Sequence, residues 1–184
     1  MADSFINEWQ DNIRNNFTSG SLMSKIHTVQ DICISVAVSD DLKSILELQK
    51  IAFLSEAALI GDYSIPPLKQ DITEVHDEFR HAHFLKAEID KQIVGSVRAE
   101  VHEGSCLIKK LIVHPDYQNR GIGSLLLTSI EKSFPLVKRF ELFTGRESKR
   151  NNAFYTRRGY KPFKEEIINE KLTLVGYEKM NFSS

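Results

Sequence analysis

The sequence has few of the features that mark secreted, membrane or metal-binding proteins. Its only cysteines, Cys33 and Cys106, show no pairing pattern, so neither a disulfide framework nor a cysteine-based metal site is expected. No apolar run approaches the roughly 18–20 residues that a membrane-spanning helix needs. The start of the chain is acidic and polar, whereas a signal peptide begins with basic residues and an apolar stretch. These absences predict a cytoplasmic protein that does not act at a membrane.

The histidines also lack a metal-binding pattern. His76, His81, His83 and His102 show no regular ligand spacing with carboxylates or cysteines, so no metal is predicted. His114 precedes a proline at the end of a predicted strand, which favours a structural role.

The net charge is small but unevenly distributed. A formal charge of −1 argues against a general nucleic-acid-binding protein. Residues 1–92 hold 8 Lys/Arg and 15 Asp/Glu, a net of −7, while residues 93–184 hold 16 and 10, a net of +6. A basic C-terminal half indicates an anionic ligand there, or a chance segregation of solvated charges. Charge alone leaves both open.

The chain divides into an N-terminal extension, residues 1–28, and one domain, residues 29–184. The extension is predicted to form a short helix and a linker, the helix packing on the domain or on a second subunit in a homodimer, with a frayed tail as the alternative. In the domain, the periodicities predict the order β-α-α-β-β-β-α-β-α-β-β, an α/β fold with a mixed sheet. Pro66 and Pro67 are expected to exclude helix from the loop GDYSIPP, and a helix is expected over LKQDITEVHDEF.

The strongest local feature is the segment HPDYQNRGIGS, between the strand CLIKKLIV and a helix expected to begin around Arg120. The first turn of a helix offers unpaired N–H groups that bind phosphates. Gly121 and Gly123 let an anion approach the backbone, and Arg120 and Ser124 add donors. A P-loop is excluded because no Gly-Lys-Ser/Thr follows, and Leu126 replaces the third glycine of a dinucleotide-binding motif. The pattern predicts an anion site, with a tight structural turn as the alternative.

The segment LIVHPDYQNRGIGSLLL resembles the cofactor motif of the GNAT-type N-acetyltransferases, in which a Gln/Arg-x-x-Gly-x-Gly/Ala loop wraps the pyrophosphate of CoA. A second segment, FTGRESKRNNAFYTRRGYKPF, resembles the family's later strand and helix. The resemblance runs from about Ile32 to Met180. It implies a single α/β domain with a mixed, mostly antiparallel central sheet of six to seven strands, about four flanking helices, and a splay at the cofactor-binding strand.

The resemblance also implies a role for each residue that matches the motifs. Backbone groups of Leu111, Ile112 and Val113 would pair with the pantetheine amides of acetyl-CoA. Asn151 would hydrogen-bond the pantetheine arm, and Tyr155 would act as the catalytic acid near the sulfur. The pyrophosphate would be held by Gln118, Asn119, Arg120, Gly121, Ile122, Gly123 and Ser124.

The residues themselves allow these roles without requiring them. Asn151 and Tyr155 are four residues apart, so they share one helix face. A phenol of pKa near 10 can serve a thiolate of pKa near 8.5 only within hydrogen-bond reach. Tyr155 could instead be a core tyrosine, and Asn152 could replace Asn151. Ser148 is expected to be the helix N-cap.

The general base and the acceptor are less well determined. Glu100, Glu56 or a chain of waters could remove the amine proton. An acidic neighbourhood favours a cationic small-molecule or peptide amine, although the same charges could simply be helix surface; its members are Glu56, Asp62, Asp71, Glu74, Asp77 and Glu78. The main alternative is an acyl-CoA-binding regulatory domain without turnover, followed by a binding module for another phosphorylated ligand.

Overall fold

The computed structural model describes residues 32–181, so the predicted N-terminal extension lies outside the described residues. The described part is an α/β domain built on one seven-stranded sheet, in the order β1-β2-β3-β4-β5-β7-β6. The strands are β1 (Cys33–Val36), β2 (His83–Ile89), β3 (Gln92–His102), β4 (Ser105–Val113), β5 (Arg139–Gly145), β6 (Lys161–Ile167) and β7 (Thr173–Met180). All neighbouring strands are antiparallel except β4 and β5, which are parallel.

Five α-helices connect the strands, one more than the predicted order contains, because the short helix α2 was not predicted. They are α1 (Leu42–Ile60), α2 (Pro66–Lys69), α3 (Ile72–Phe79), α4 (Ile122–Ser133) and α5 (Lys149–Thr156). The single α/β domain and its mixed sheet are therefore as predicted. None of the described helices is long and apolar enough to cross a membrane.

The prediction for the segment after α1 was wrong in two details. Pro66 and Pro67 do not exclude helix but begin the single turn α2, because the first helical positions need no N–H donor. The next helix begins at Ile72 because Asp71 caps it. The Asp71 side chain accepts from the N–H of Glu74, and the Glu74 carboxylate accepts from the N–H of Asp71, each at 2.9 Å.

The two faces of the sheet carry separate apolar clusters, because successive strand residues point to opposite faces. Phe84 packs on one face with the α1 residues Leu42 and Ile45, while its neighbour Leu85 belongs to the cluster on the other face. Leu126 and Ile130 of α4 are fully buried in that second cluster. The sheet thus lies between α1 and α3 on one side and α4 and α5 on the other.

The sheet opens between its two parallel strands. Pairing of β4 with β5 runs only from Ser105↔Arg139 to Ile108↔Leu142. A register irregularity in the β3–β4 pairing, with φ of +47° at Lys110, follows immediately. The remainder of β4 diverges from β5, which continues to pair with β7 up to Gly145. This is the predicted splay.

Candidate functional site

The free edge of β4 is provided by Leu111 and Val113. The carbonyl oxygen of Ile112 lies against Gly95 of β3, and the N–H of His114 donates to the Val94 carbonyl at 2.8 Å. Backbone groups alternate in direction along a strand, so the peptide groups of Leu111 and Val113 point away from β3 into the splay. Of the three residues assigned to pantetheine, these two offer edge groups, and Ile112 faces β3.

The Val113 carbonyl is engaged by the following loop. It accepts a hydrogen bond of 3.0 Å from the Gln118 side-chain amide, whose oxygen in turn accepts from Arg150 at 2.5 Å. Gln118 therefore links the end of β4 to α5, in addition to any role of its backbone.

The loop after β4 presents a series of unpaired N–H groups. The helix α4 begins at Ile122, two residues later than predicted. The cause is Gly121, which adopts φ of +83° and forms the N-cap of α4. Asn119 also has positive φ, +61°. The Gly121 carbonyl accepts from the N–H groups of Ser124 and Leu125, each at 3.0 Å. Within the described residues, no hydrogen bond uses the N–H groups of residues 119–123, which makes this helix terminus an anion-binding arrangement.

Two glycines position this loop for different reasons. Gly121 has open space where a Cβ would be, so only its positive φ requires glycine. A Cβ on Gly95 of β3 would lie 2.9 Å from Leu126 Cδ1 and 3.1 Å from Ile122 Cγ2. Gly95 therefore lets the first turn of α4 pack directly on the sheet. Sequence reasoning missed it, because a single glycine inside a strand carries no local indication of what crosses it.

Helix α5 contacts the same loop. The ring of Phe154 lies 3.5 Å from the Cβ position of Gly123. The guanidinium of Arg158 stacks on Phe154 at 3.6 Å and donates to the Ser124 hydroxyl. The side chain of Arg120 turns back instead, donating to the Asp116 carbonyl at 2.9 Å and lying over the Tyr117 ring.

Tyr155 of α5 is buried, 9% exposed, beside the rings of Phe154, Tyr160 and Tyr177. Burial and the nearby Glu56 carboxylate raise the pKa of its phenol above the ordinary value near 10. No hydrogen bond joins its hydroxyl to another of residues 32–181, and no buried polar side-chain atom among them lacks a partner. The Tyr155 hydroxyl oxygen is therefore not fully buried, and the raised pKa keeps it a protonated donor.

Glu56 of α1 is the carboxylate of the site. Its Oε1 accepts from the Ser148 hydroxyl at 3.0 Å and from the Asn151 amide at 3.2 Å. The Asn151 amide also lies 3.4 Å from the Thr144 hydroxyl. Glu56 thereby lies beside both α5 residues that the sequence singled out, and its charge acts on Tyr155.

This cluster corrects the role predicted for Ser148. Ser148 occupies the N-cap position of α5, but its hydroxyl makes no capping hydrogen bond and donates to Glu56 instead. Thr144 was not predicted at all. Ser148 is 92 residues from Glu56 in the chain, so no local pattern could bring them together.

The other candidates lie elsewhere. Glu100 pairs with Lys109 at 2.5 Å and stands opposite Leu107, in the part of β4 that still pairs with β5. Asn152 is occupied structurally: it donates to the Arg146 carbonyl and accepts from Tyr177. His114 is buried, and its Nδ1 accepts from the backbone N–H of Asp116, consistent with a structural residue.

The carboxylates of the predicted acidic neighbourhood have separate partners in the structure. Asp71 and Glu74 cap α3, Asp77 pairs with Arg80, and Asp62 accepts from the N–H of Ser64. Glu78 pairs with buried Arg98 at 2.8 Å and with Lys110 at 3.0 Å. Burial acts to raise the pKa of Glu78, but Arg98, Gln70 and Lys110 together hold it below its usual value. Glu56 alone of the six touches Asn151. Among residues 32–181 no group of side chains could hold a metal ion.

Comparison with known proteins identifies this architecture. Residues 80–162 match the family model described as the acetyltransferase (GNAT) domain, a region that holds the free edge of β4, the loop and α5. The chain is 25% identical over 118 residues to the UPF0157 protein YqkA of Bacillus subtilis, covering 64% of the chain and 34% of that protein. It is 45% identical over 51 residues to an acetyltransferase of Pectobacterium atrosepticum, covering 27% of the chain and 35% of that protein. The chain thus spans about a third of these relatives.

Solved structures share the fold. The PaiA N-acetyltransferase of Thermoplasma acidophilum in complex with coenzyme A has a TM-score of 0.67 at 21% identity, over 81% of this chain and 98% of that chain. The ribosomal-protein-S18-alanine N-acetyltransferase of Escherichia coli has a TM-score of 0.67 at 13% identity, over 82% of this chain and 94% of that chain. At these identities the likeness is one of fold.

Proposed function

Because residues 80–162 match the family model of the GNAT acetyltransferase domain, we propose that the chain transfers the acetyl group of acetyl-CoA to a primary amine of a small molecule or peptide. The observation that carries the proposal is that Glu56, Asn151 and Tyr155 converge near Thr144, in the part of β5 that no longer pairs with β4. A domain that only bound acyl-CoA would need the loop but not this cluster. The proposed site of the reaction is the cytoplasm, the compartment that the composition predicts.

The residues present fit acetyl-CoA, which supplies an acetyl group activated as a thioester. The free peptide groups of Leu111 and Val113 can pair with the two amides of the pantetheine arm, as an added strand would. The unpaired N–H groups of residues 119–123 and the first turn of α4 suit the pyrophosphate. The Val113 carbonyl already accepts from the Gln118 side chain, and its second lone pair can accept a pantetheine N–H.

Glu56 is the proposed general base. An acceptor amine enters as an ammonium ion, gives one proton to the Glu56 carboxylate, and attacks the thioester carbonyl; the C–N bond forms and the C–S bond breaks. Asn151 and Ser148 orient Glu56 by donating to its Oε1. The negative charge of Glu56 also attracts a cationic acceptor, which supports an amine substrate.

Tyr155 is the proposed acid for the departing sulfur. Its raised pKa keeps the phenol protonated at neutral pH, but makes complete transfer to a thiolate of pKa near 8.5 unfavourable by itself. Tyr155 therefore stabilises the thiolate first by a hydrogen bond. As its proton passes to sulfur, the second proton of the amine nitrogen replaces it, so the phenol is regenerated.

A thiol-release assay with acetyl-CoA across a panel of amines tests this proposal. The panel contains polyamines, free amino acids and peptides with a free N-terminus, and CoA binding is measured in parallel by calorimetry. We expect thiol release that depends on at least one amine. Tight CoA binding with no release above the hydrolysis background would refute the enzyme and favour an acyl-CoA-binding regulatory domain.

A further inference from the structure

The guanidinium of Arg158 lies at the N-terminal end of helix α4. The helix dipole already makes this end positive, so a second positive charge here is unexpected. The Arg158 guanidinium donates to the hydroxyl of Ser124, in the first turn of α4, and stacks on Phe154 at 3.6 Å. A second guanidinium nitrogen donates to the Phe154 carbonyl at 2.8 Å. These contacts fix the orientation of the guanidinium and place it next to the unpaired N–H groups of the loop.

The charge of Arg158 is not neutralised by the protein. No ion pair joins it to a carboxylate within residues 32–181, and burial together with neighbouring Arg157 lowers its pKa. The positive end of the α4 dipole also points here, which by itself disfavours a cation. An arginine held at the positive end of a helix without an acid partner leaves both positive charges available to an anion that binds between them.

We infer that Arg158 is a further cofactor ligand, which donates to the pyrophosphate of CoA while the N–H groups of residues 119–123 hold its other oxygens. This inference rests on the proposed function, because it requires that CoA bind at the loop. The pyrophosphate is favoured over the 3′-phosphate because Arg158 is bonded to Ser124 in the first helical turn, beside the N–H groups that bind the diphosphate.

Arg157 provides a matched control. It is the adjacent arginine, it is exposed, and its side chain makes no hydrogen bond or ion pair within the described residues. Arg158→Gln removes the charge but keeps a polar side chain that can pack on Phe154, and Arg157→Gln removes the same charge one position away.

The experiment measures the Kd of CoA, dephospho-CoA and pantetheine for the wild type and both variants by calorimetric or NMR titration, with a thermal melt of each free protein. We expect Arg158→Gln to raise the Kd of CoA and dephospho-CoA by the same factor, roughly 10- to 100-fold. Its affinity for pantetheine, which has no phosphate, should not change. Arg157→Gln should leave all three affinities within about twofold.

The remaining outcomes separate the alternatives. A loss with CoA that disappears with dephospho-CoA would overturn the pyrophosphate assignment, because only CoA carries the 3′-phosphate. An equal loss for pantetheine, or a lowered melting temperature with the loss, would show that Arg158 acts only by supporting the loop. If wild-type protein binds CoA and the two variants behave alike, the inference fails alone. If wild-type protein does not bind CoA, the proposed function fails as well.

Discussion

Replacing Gly95 by alanine should disturb cofactor binding from beneath the loop. The new Cβ would lie 2.9 Å from Leu126 Cδ1, 3.1 Å from Ile122 Cγ2 and 3.2 Å from the Ile112 carbonyl oxygen. The carbonyl belongs to the sheet and cannot yield, so the first turn of α4 must move away by a few tenths of an ångström. That turn carries the N–H groups assigned to the pyrophosphate.

The magnitude follows from two opposing contributions. Overpacking a core site typically costs about 1–3 kcal/mol, and alanine recovers about 0.5–1 kcal/mol of backbone entropy relative to glycine in a strand. From the middle of each range, the expected net loss in the free energy of unfolding is about 1 kcal/mol, or a lowering of Tm by about 2–4 °C for a domain of this size. Misplacing the N–H donors should raise the Kd of CoA at least several-fold.

Gly176→Ala separates the two effects. Its Cβ would lie 2.9 Å from Phe143 Cε1, 3.0 Å from Lys164 Cγ and 3.0 Å from Phe163 Cε1, so it overpacks the β5–β7–β6 side of the sheet instead. Urea unfolding should show both variants destabilised, whereas calorimetry should show weakened CoA binding only for Gly95→Ala. Equal CoA affinities in the two variants, or an unchanged Gly95→Ala protein, would refute the proposed seating of α4.

Three further predictions concern the site and its support. Tyr155→Phe should lower kcat roughly 10- to 100-fold without changing the Kd of acetyl-CoA, and an unchanged kcat would remove the phenol from the mechanism. Glu56→Gln should lower kcat/KM by about 100-fold or more, whereas an unchanged kcat/KM would assign the base elsewhere. Glu78→Gln should destabilise the fold by about 3 kcal/mol at neutral pH, because Arg98 loses its buried partner. The folded state lowers the pKa of Glu78. The Glu78 carboxylate therefore adds to the free energy of unfolding above the unfolded pKa near 4.3, and this stabilisation is lost as the pH falls through the lower folded pKa. Urea unfolding from pH 7 to pH 3 should therefore show a shallower acid loss in Glu78→Gln than in wild type, and parallel curves would contradict this.

The sequence by itself determined the order of the strands and longer helices, and it predicted the anion-binding loop. Strand and helix periodicities reflect burial on one face of each element, so the order of strands and helices was readable from the residues. The loop was also readable, because Gly121 and Gly123 are contiguous with the helix that they begin. The start of α4 and the single turn at Pro66 were missed, since they depend on backbone angles and on which terminal N–H groups need partners.

Only the tertiary structure decided between Glu56 and Glu100. These two carboxylates look alike in the sequence, but α1 brings Glu56 to Ser148 and Asn151, while Glu100 pairs with Lys109. The structure likewise places Arg158 against Ser124, 34 residues earlier in the chain. The positions of Glu56 and Arg158 depend on contacts between residues far apart in the chain. Local sequence patterns do not encode these contacts, because each one forms only when the strands and helices have packed.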